Sequence, residues 1–198
     1  MLSVVPGRKR TEIPDTQENA IDEYALLERI IEGDAAAFEV FYKTYHTKLF
    51  HFILRMMNQP DSVEELIQET LLVVWQKPES FNHTSKISTW VFGIAYNKTL
   101  KFLSKNSKHT KHIDIEEVIE SIGDETANPA GNLENIDWLN SALASLQPDQ
   151  RAVIELTLYQ GLAYQEIAII MDCPENTVKT RMFHARKKLA DFAKNQEN

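Results

Sequence analysis

Apolar residues recur at every third or fourth position along most of this chain, and no run alternates convincingly enough to read as a strand. That spacing sets one side of a helix against a core, so an all-α fold is expected. Ala25, Leu26, Arg29 and Ile30 open a first helix that should stop near Gly33. Phe38, Phe41, Tyr42, Tyr45, Leu49, Phe52 and Ile53 predict one long helix from Ala36 to about Met57, halted by Asn58, Gln59 and Pro60. Asp61 or Ser62 can cap the next, which carries Leu66, Thr70, Val73 and Val74 to Trp75 before Pro78 ends it. Ser88 or Thr89 should start a fourth, with Val91, Ile94, Ala95, Leu100 and Leu103. Further helices are expected near 135–145, 149–159, 162–171 and 175–193.

The blocks are interrupted. Residues 1–21 are polar, with Pro6, Gly7 and Pro14, and read as a flexible N-terminal tail. Residues 22–105 form the first helical block. Residues 106–136 carry Asn106, Ser107, Gly123, Asn128, Pro129 and Gly131 and read as an acidic flexible linker, with a short helical turn possible in HIDIEEVIESI. Residues 137–192 form the second block, and 193–198 a tail. Two small helical domains on a tether suit a length of 198 residues.

The total charge of -8 argues against a nucleic-acid partner, but its distribution does not. Residues 106–136 hold a net -5, whereas 22–105 and 137–198 hold only -2 and -1. From Lys179 to Lys194 six basic residues face one acidic, Asp191. Local fields, not totals, steer a phosphate backbone. Other classes fall away. Cys173 is the one cysteine, which leaves no internal disulfide and no cysteine zinc site. No run approaches the roughly 20 apolar residues of a membrane span, and the N-terminus lacks the order of a signal peptide. A soluble cytoplasmic chain without membrane insertion is expected. Glu65 and Glu69 share a helix face, but facing helices supply no Glu-x-x-His pairs for a di-metal site. His46, His51 and His83 show no metal-ligand spacing. No enzyme, metal or cofactor is therefore expected.

The clearest local signal runs from Gly161 to Leu189: a short helix, the turn DCPE, and a long helix beginning around Asn176. Small Ala168 allows close approach, and Val178, Met182, Ala185 and Leu189 make the inner stripe. The opposite faces present Thr177, Lys179, Thr180, Arg181, His184, Arg186 and Lys188. A helix of this kind fits the major groove, with its first turns at base edges and later basic residues on phosphates. A solvated basic face is the plain alternative. Arg151 suits either a backbone phosphate or a pair with Glu155.

Two other segments carry signals. DSVEELIQETLLVVW places Asp61, Glu65, Gln68 and Glu69 on a polar face beside Leu66 and Leu72, which suits a basic, partly apolar protein partner. FNHTSKISTWVFGIAYNKTLKFL joins a polar loop to an aromatic helix. There Trp90, Ile94 and Leu100 can be core, while Phe92, Tyr96, Asn97 and Lys101 share another flank. Aromatics among Asn and Lys suit unstacked single-stranded bases.

In this order the two units resemble bacterial RNA polymerase sigma factors of the sigma-70 superfamily, in the extracytoplasmic-function (ECF) group. The likeness covers about residues 22–105 and 137–192. It implies that VEELIQETLLVVWQKPESF binds polymerase, with Asp61, Glu65, Gln68, Glu69 and Trp75 docking on a coiled coil of the largest catalytic subunit. It implies that Asn82, His83, Ser85, Lys86 and Ser88 belong to a loop that captures a flipped −10 base. Trp90, Tyr96, Asn97 and Lys101 would face the non-template strand. In the −35-reading unit, Arg151, Thr177, Lys179, Thr180, Arg181 and Arg186 would carry the DNA contacts. The implied partners are core RNA polymerase, promoter DNA and an anti-sigma factor. The acidic linker is either a mimic of nucleic-acid charge inside the polymerase or a solvated tether.

This sequence departs from the family's usual residues at Gly93 and Tyr96, where basic residues are common, and at Asp172 and Asn176, where glycine is common. A stand-alone helix-turn-helix regulator remains the alternative and predicts duplex binding without polymerase. A structural adaptor predicts no DNA dependence, against which the 179–194 basic bias speaks.

Overall fold

A computed structural model describes residues 22–57, 60–106 and 141–196. The linker readings, the short helical turn in 112–122, the tail 1–21 and the stop residues Asn58 and Gln59 lie outside the described residues. So does the expected helix near 135–145, except for helical residues 141–144.

Every described element is helical. Helix α1 spans Glu23–Ile31, with the Asp22 carboxylate accepting from the N–H groups of Tyr24 and Ala25. It ends at Gly33, whose φ of 84° suits a residue without a Cβ. Asp34 then caps α2, Ala35–Met57, accepting from Ala36 and Ala37 N–H at 2.9 and 3.1 Å. Arg29 donates twice to the same carboxylate, at 2.9 and 2.7 Å, which fixes the corner between α1 and α2. At about 1.5 Å per residue, α2 is the long spine of the molecule. It buries Phe41, Tyr45, Leu49, Phe52, Ile53 and Met56 on one side.

A single turn at Pro60–Ser62 leads to α3, Val63–Gln76. Ser62 stands at its N-cap but makes no side-chain cap bond. A second turn at Pro78–Ser80 and a loop lead to α4, Ile87–Asn106, which starts just before the expected Ser88 or Thr89. The fully buried hydroxyls of Thr70 and Thr99 donate to carbonyls one turn back, Leu66 and Ala95, so they sit in the core without stranded donors.

The C-terminal cluster holds α5, Pro148–Leu158, α6, Tyr164–Ile170, and α7, Glu175–Gln196. Pro148 opens α5, where its missing N–H costs nothing. Gln147 and Gln150 bond reciprocally across the first turn of α5, and Glu166 accepts from Ala163 N–H at 2.9 Å to start α6. Helix α7 runs on through residues 193–196.

Two helical clusters result, α1–α4 and α5–α7. They lie directly against each other: α5 packs on α2, and α6 packs on α4. One contiguous set of buried side chains runs from Leu26 in α1 to Ala185 in α7.

Candidate nucleic-acid and polymerase interfaces

In the C-terminal cluster, Val178, Met182 and Ala185 of α7 face Ile167 and Ile170 of α6, all buried. Leu189 is partly buried at the end of that stripe. Lys179, Thr180 and Arg186 stand exposed on the outer side, with Thr177 half-buried. Lys179 Nζ pairs with Glu175 at 2.7 Å one turn back, and Thr180 Oγ1 donates to the Asn176 carbonyl at 2.9 Å. Arg181 is less free. Its guanidinium pairs with Asp149 of α5 and donates to Cys173 Sγ at 3.4 Å. Arg151 is half-buried, and burial pushes its guanidinium below the ordinary value. Its Nε has no hydrogen-bond partner among the described residues. Glu155 pairs with Arg55 instead.

Of the two departures in the turn, only Asp172 takes the left-handed conformation, with φ at 46°. A short polar side chain tolerates it better than most. Asn176 lies in the first turn of α7 and needs no such tolerance.

The loop before α4 is built by its own side chains. Asn82 Oδ1 accepts from Thr84 N–H at 3.1 Å and from Thr84 Oγ1 at 2.7 Å, an Asx-type turn. That turn carries His83 at φ 58°, a left-handed conformation that histidine adopts more often than most residues. The His83 ring lies 4.7 Å from Phe81, which in turn lies 5.4 Å from Trp90. Ser85 Oγ donates to the Lys86 carbonyl at 3.3 Å, and Ser88 is half-buried. Lys86 is exposed and pairs with Glu166 of α6 at 2.8 Å.

On α4 the aromatic residues divide differently from the expected flank. Phe92 is core, edge-on to Phe52 at 5.3 Å. Tyr96 is also buried, and its hydroxyl donates to Asp149 Oδ1 at 2.8 Å. Burial first, then the Asp149 carboxylate, raise that phenol above its ordinary value. Trp90 and Ile94 are half-buried, while Asn97 and Lys101 are exposed. A cleft of about 250 Å³ is lined by Asn82, Ser85, Trp90, Gly93 and Asn97. Its remaining wall comes from α6 and the turn after it: Ile169, Ile170 and Asp172.

The third region is on α3. Asp61, Glu65, Gln68 and Glu69 are exposed, and Trp75 is half-buried. Beside them an apolar groove of about 280 Å³ runs between α2 and α3, lined by Phe38, Tyr42, Leu71, Leu72 and Trp75. The Phe38 and Trp75 rings meet at 5.1 Å, and Leu72 is exposed. Glu69 pairs with Lys98 of α4 at 2.7 Å, and that bond holds its carboxyl below the usual range. Gln68 lies on that apolar groove, whereas Glu65 and Glu69 line a separate cleft with Lys98, Lys101 and Lys105. His46 pairs with Glu64 at 3.2 Å. Among the described residues no group of three His, Cys, Asp or Glu side chains could hold a metal ion. No described helix is long and apolar enough to cross a membrane.

The sequence reading missed the residues that join the clusters. Arg55 of α2 pairs with Glu155 of α5, whose side chain is 2% exposed. The Arg55 guanidinium also lies 3.7 Å over the Tyr159 ring. One signal was present: Glu155 sits on the apolar face of AVIEL, where a carboxylate requires a buried cation. Which cation it meets depends on a contact 100 residues away.

A helix-turn-helix unit with an exposed polar helix thus packs on a helical unit that carries an aromatic-lined cleft and exposed carboxylates on α3. Comparison with known proteins assigns the family. The family model for sigma-70 region 2 matches residues 41–109, and that for sigma-70 region 4 matches residues 136–189. The ECF RNA polymerase sigma-E factors of Salmonella typhimurium and Escherichia coli are each 32% identical over 177 residues, covering 84% of this chain and 92% of theirs. That of Haemophilus influenzae is 29% identical over 180 residues, with 84% and 93% covered. Among solved structures, CnrH in complex with the cytosolic domain of CnrY has the same fold, with a TM-score of 0.67 at 19% identity over 87% of this chain and 97% of that one. The sigma factor RpoE in complex with the anti-sigma factor NepR, from Bartonella quintana, has a TM-score of 0.60 at 26% identity over 79% and 98%. The chain belongs to the sigma-70 family of RNA polymerase sigma factors, in its ECF group.

Proposed function

We propose that this sigma factor divides its work among the three regions described, −35 duplex on α7, −10 single strand at the α4 cleft, and polymerase on α3. As a sigma factor it directs RNA polymerase to promoters and is not itself an enzyme. The observation that carries the division is the exposed Lys179, Thr180 and Arg186 face on a helix whose opposite side buries Val178, Met182 and Ala185. Such a helix enters a major groove with its N-terminal turns on base edges. Thr177 and Arg181 border that face, and Arg151 lies behind it.

At the −10 element the chemistry favours trapping over groove reading. Asn82, His83, Ser85, Lys86 and Ser88 supply hydrogen bonds to an unstacked base, and Trp90 offers a ring face. Asn97, Lys101 and Tyr96 extend that surface along the strand. Opening costs a few kcal/mol per unstacked step, which stacking offsets. The α3 surface, with Asp61, Glu65, Gln68, Glu69 and Trp75 around the exposed Leu72, suits a basic and partly apolar coiled coil of the largest polymerase subunit. Residues 22–105 and 137–192 are assigned as the two promoter-binding domains. The Bartonella quintana relative is in complex with an anti-sigma factor, and a partner of that kind is assigned here too. Its place of work is with polymerase in the cytoplasm.

The test is run-off transcription with core polymerase on a genomic promoter library. Lys179→Ala with Arg181→Ala should abolish −35-dependent transcripts while the protein still co-elutes with polymerase. Loss of both activities together would overturn the division of roles. Duplex binding without polymerase would favour the stand-alone regulator.

A further inference from the structure

Tyr24, in the first turn of α1, belongs to none of the three regions assigned above, yet it adjoins the −10 loop. It is 47% exposed, and its ring lies 6.1 Å from Phe81 at a tilt of 51°. Phe81 stands at the start of the loop and is buried. Two further rings pack around Phe81, His83 at 4.7 Å and Trp90 at 5.4 Å. The buried ring is thus a hub that a base cannot reach. The rings around it meet solvent: Tyr24 and His83 are exposed, and Trp90 is half-buried.

Tyr24 is held where it stands. Its N–H donates to the Asp22 carboxylate at 3.1 Å, and α1 packs on the Pro78–Ser80 turn that leads into the loop. An exposed ring fixed in place offers a stacking face at little cost in ordering, and every nucleobase has a face to match it. The neighbouring charges favour a base over a phosphate. Asp22 and Glu23 put carboxylates beside Tyr24, and these repel a backbone phosphate. The loop cation Lys86 is within electrostatic reach of the same ring. Its ammonium is held above the ordinary value by Glu166 first, and more weakly by the Tyr24 hydroxyl.

We propose that Tyr24 is a second stacking platform for the opened strand, beside the loop that takes the −10 base. A strand crossing the loop keeps its phosphates toward Lys86 and turns a base toward Tyr24. Because Trp90 and Tyr24 both border Phe81, their ring centroids lie no more than about 12 Å apart, or roughly three to four steps of a stacked strand at about 3.4 Å each. Tyr24 therefore stacks on a base within about four nucleotides of the one at Trp90. Helix α1 is then part of the promoter-opening surface as well as a cover for α2. The inference rests on the −10 assignment above.

The full-length protein is assembled with core polymerase on a promoter taken from the run-off library. The fluorescent base 2-aminopurine replaces each non-template base in turn, within about four positions of the unstacked −10 base. Stacking on an aromatic ring quenches it. At one such position Tyr24→Leu should raise the fluorescence about twofold or more over the parent, whereas Tyr24→Phe, which keeps the ring, should match the parent. The same holoenzyme should bind a single-stranded −10 oligonucleotide about tenfold more weakly with Tyr24→Leu, the scale of one base–aromatic stack. Leucine still covers Phe81, so the melting temperature should stay near that of the parent. A joint loss of melting temperature and quenching would make Tyr24 a brace for the loop and overturn the platform. An equal loss in Tyr24→Phe would assign the effect to the hydroxyl and overturn stacking. Trp90→Ala in the same scan separates the two ideas. A signal changed by Trp90→Ala alone leaves the −10 assignment standing and overturns the platform, and a signal changed by neither variant removes both.

Discussion

Replacing Arg55 should hurt this protein more than replacing its partner. Glu155 has a side chain 2% exposed, whereas that of Arg55 is 26% exposed and also rests on the Tyr159 ring. In Arg55→Ala the buried carboxylate loses its cation and keeps only the long 3.4 Å bond from Gln160. Removing one member of a buried pair costs about 3–5 kcal/mol. In Glu155→Ala the guanidinium keeps its ring and turns toward water, so about 1–2 kcal/mol is expected. The double replacement Arg55→Met with Glu155→Leu leaves no stranded charge and should fall within about 1 kcal/mol of the parent.

Urea denaturation measures all three. A larger loss in Glu155→Ala than in Arg55→Ala would refute the reasoning and mean that Gln160 or water satisfies the carboxylate without Arg55.

Glu65→Lys with Glu69→Lys should weaken association with core polymerase by roughly tenfold, measured by fluorescence anisotropy; unchanged affinity would reject the α3 docking face. Phe92→Ala, in the core against Phe52, should cost about 3–5 kcal/mol in denaturation. The half-buried Trp90→Ala should instead leave the melting temperature near that of the parent and reduce promoter opening about tenfold, since stacking on one base contributes about 1–3 kcal/mol. Asp34 is held below its ordinary 3.8 by Arg29 and then by the Ala37 N–H. A depressed carboxyl stabilises the fold above its unfolded value and loses that contribution as pH falls through the folded one. Asp34→Asn should therefore lower the melting temperature at pH 7 and converge on the parent only as pH falls below 3.8 and through the depressed folded value, as differential scanning calorimetry would record.

Helix identity was legible because each helix carries its own period and its own stops. The α2 stripe from Phe41 to Met56 needs no knowledge of what covers it, and Gly33 with Asp34 marks the α1–α2 corner locally. The same holds for the α7 stripe of Val178, Met182 and Ala185, which leaves Lys179 and Thr180 outward by geometry alone. Periodicity failed on α4, where apolar residues surround the helix and several faces fit a core equally well. There packing against Phe52 chose Phe92 for the interior, and Asp149 drew in Tyr96.

The sequence alone determined an all-α chain with helical blocks at both ends, a basic C-terminal helix and an acidic face on α3. These are properties of residues within a few turns of one another. The tertiary structure decided the rest: that Glu155 meets Arg55, that Tyr96 and Arg181 share Asp149, and that α6 closes on Gly93. Each joins residues tens of positions apart, where the pairing follows from the shape of the assembled core and no local pattern encodes the partner.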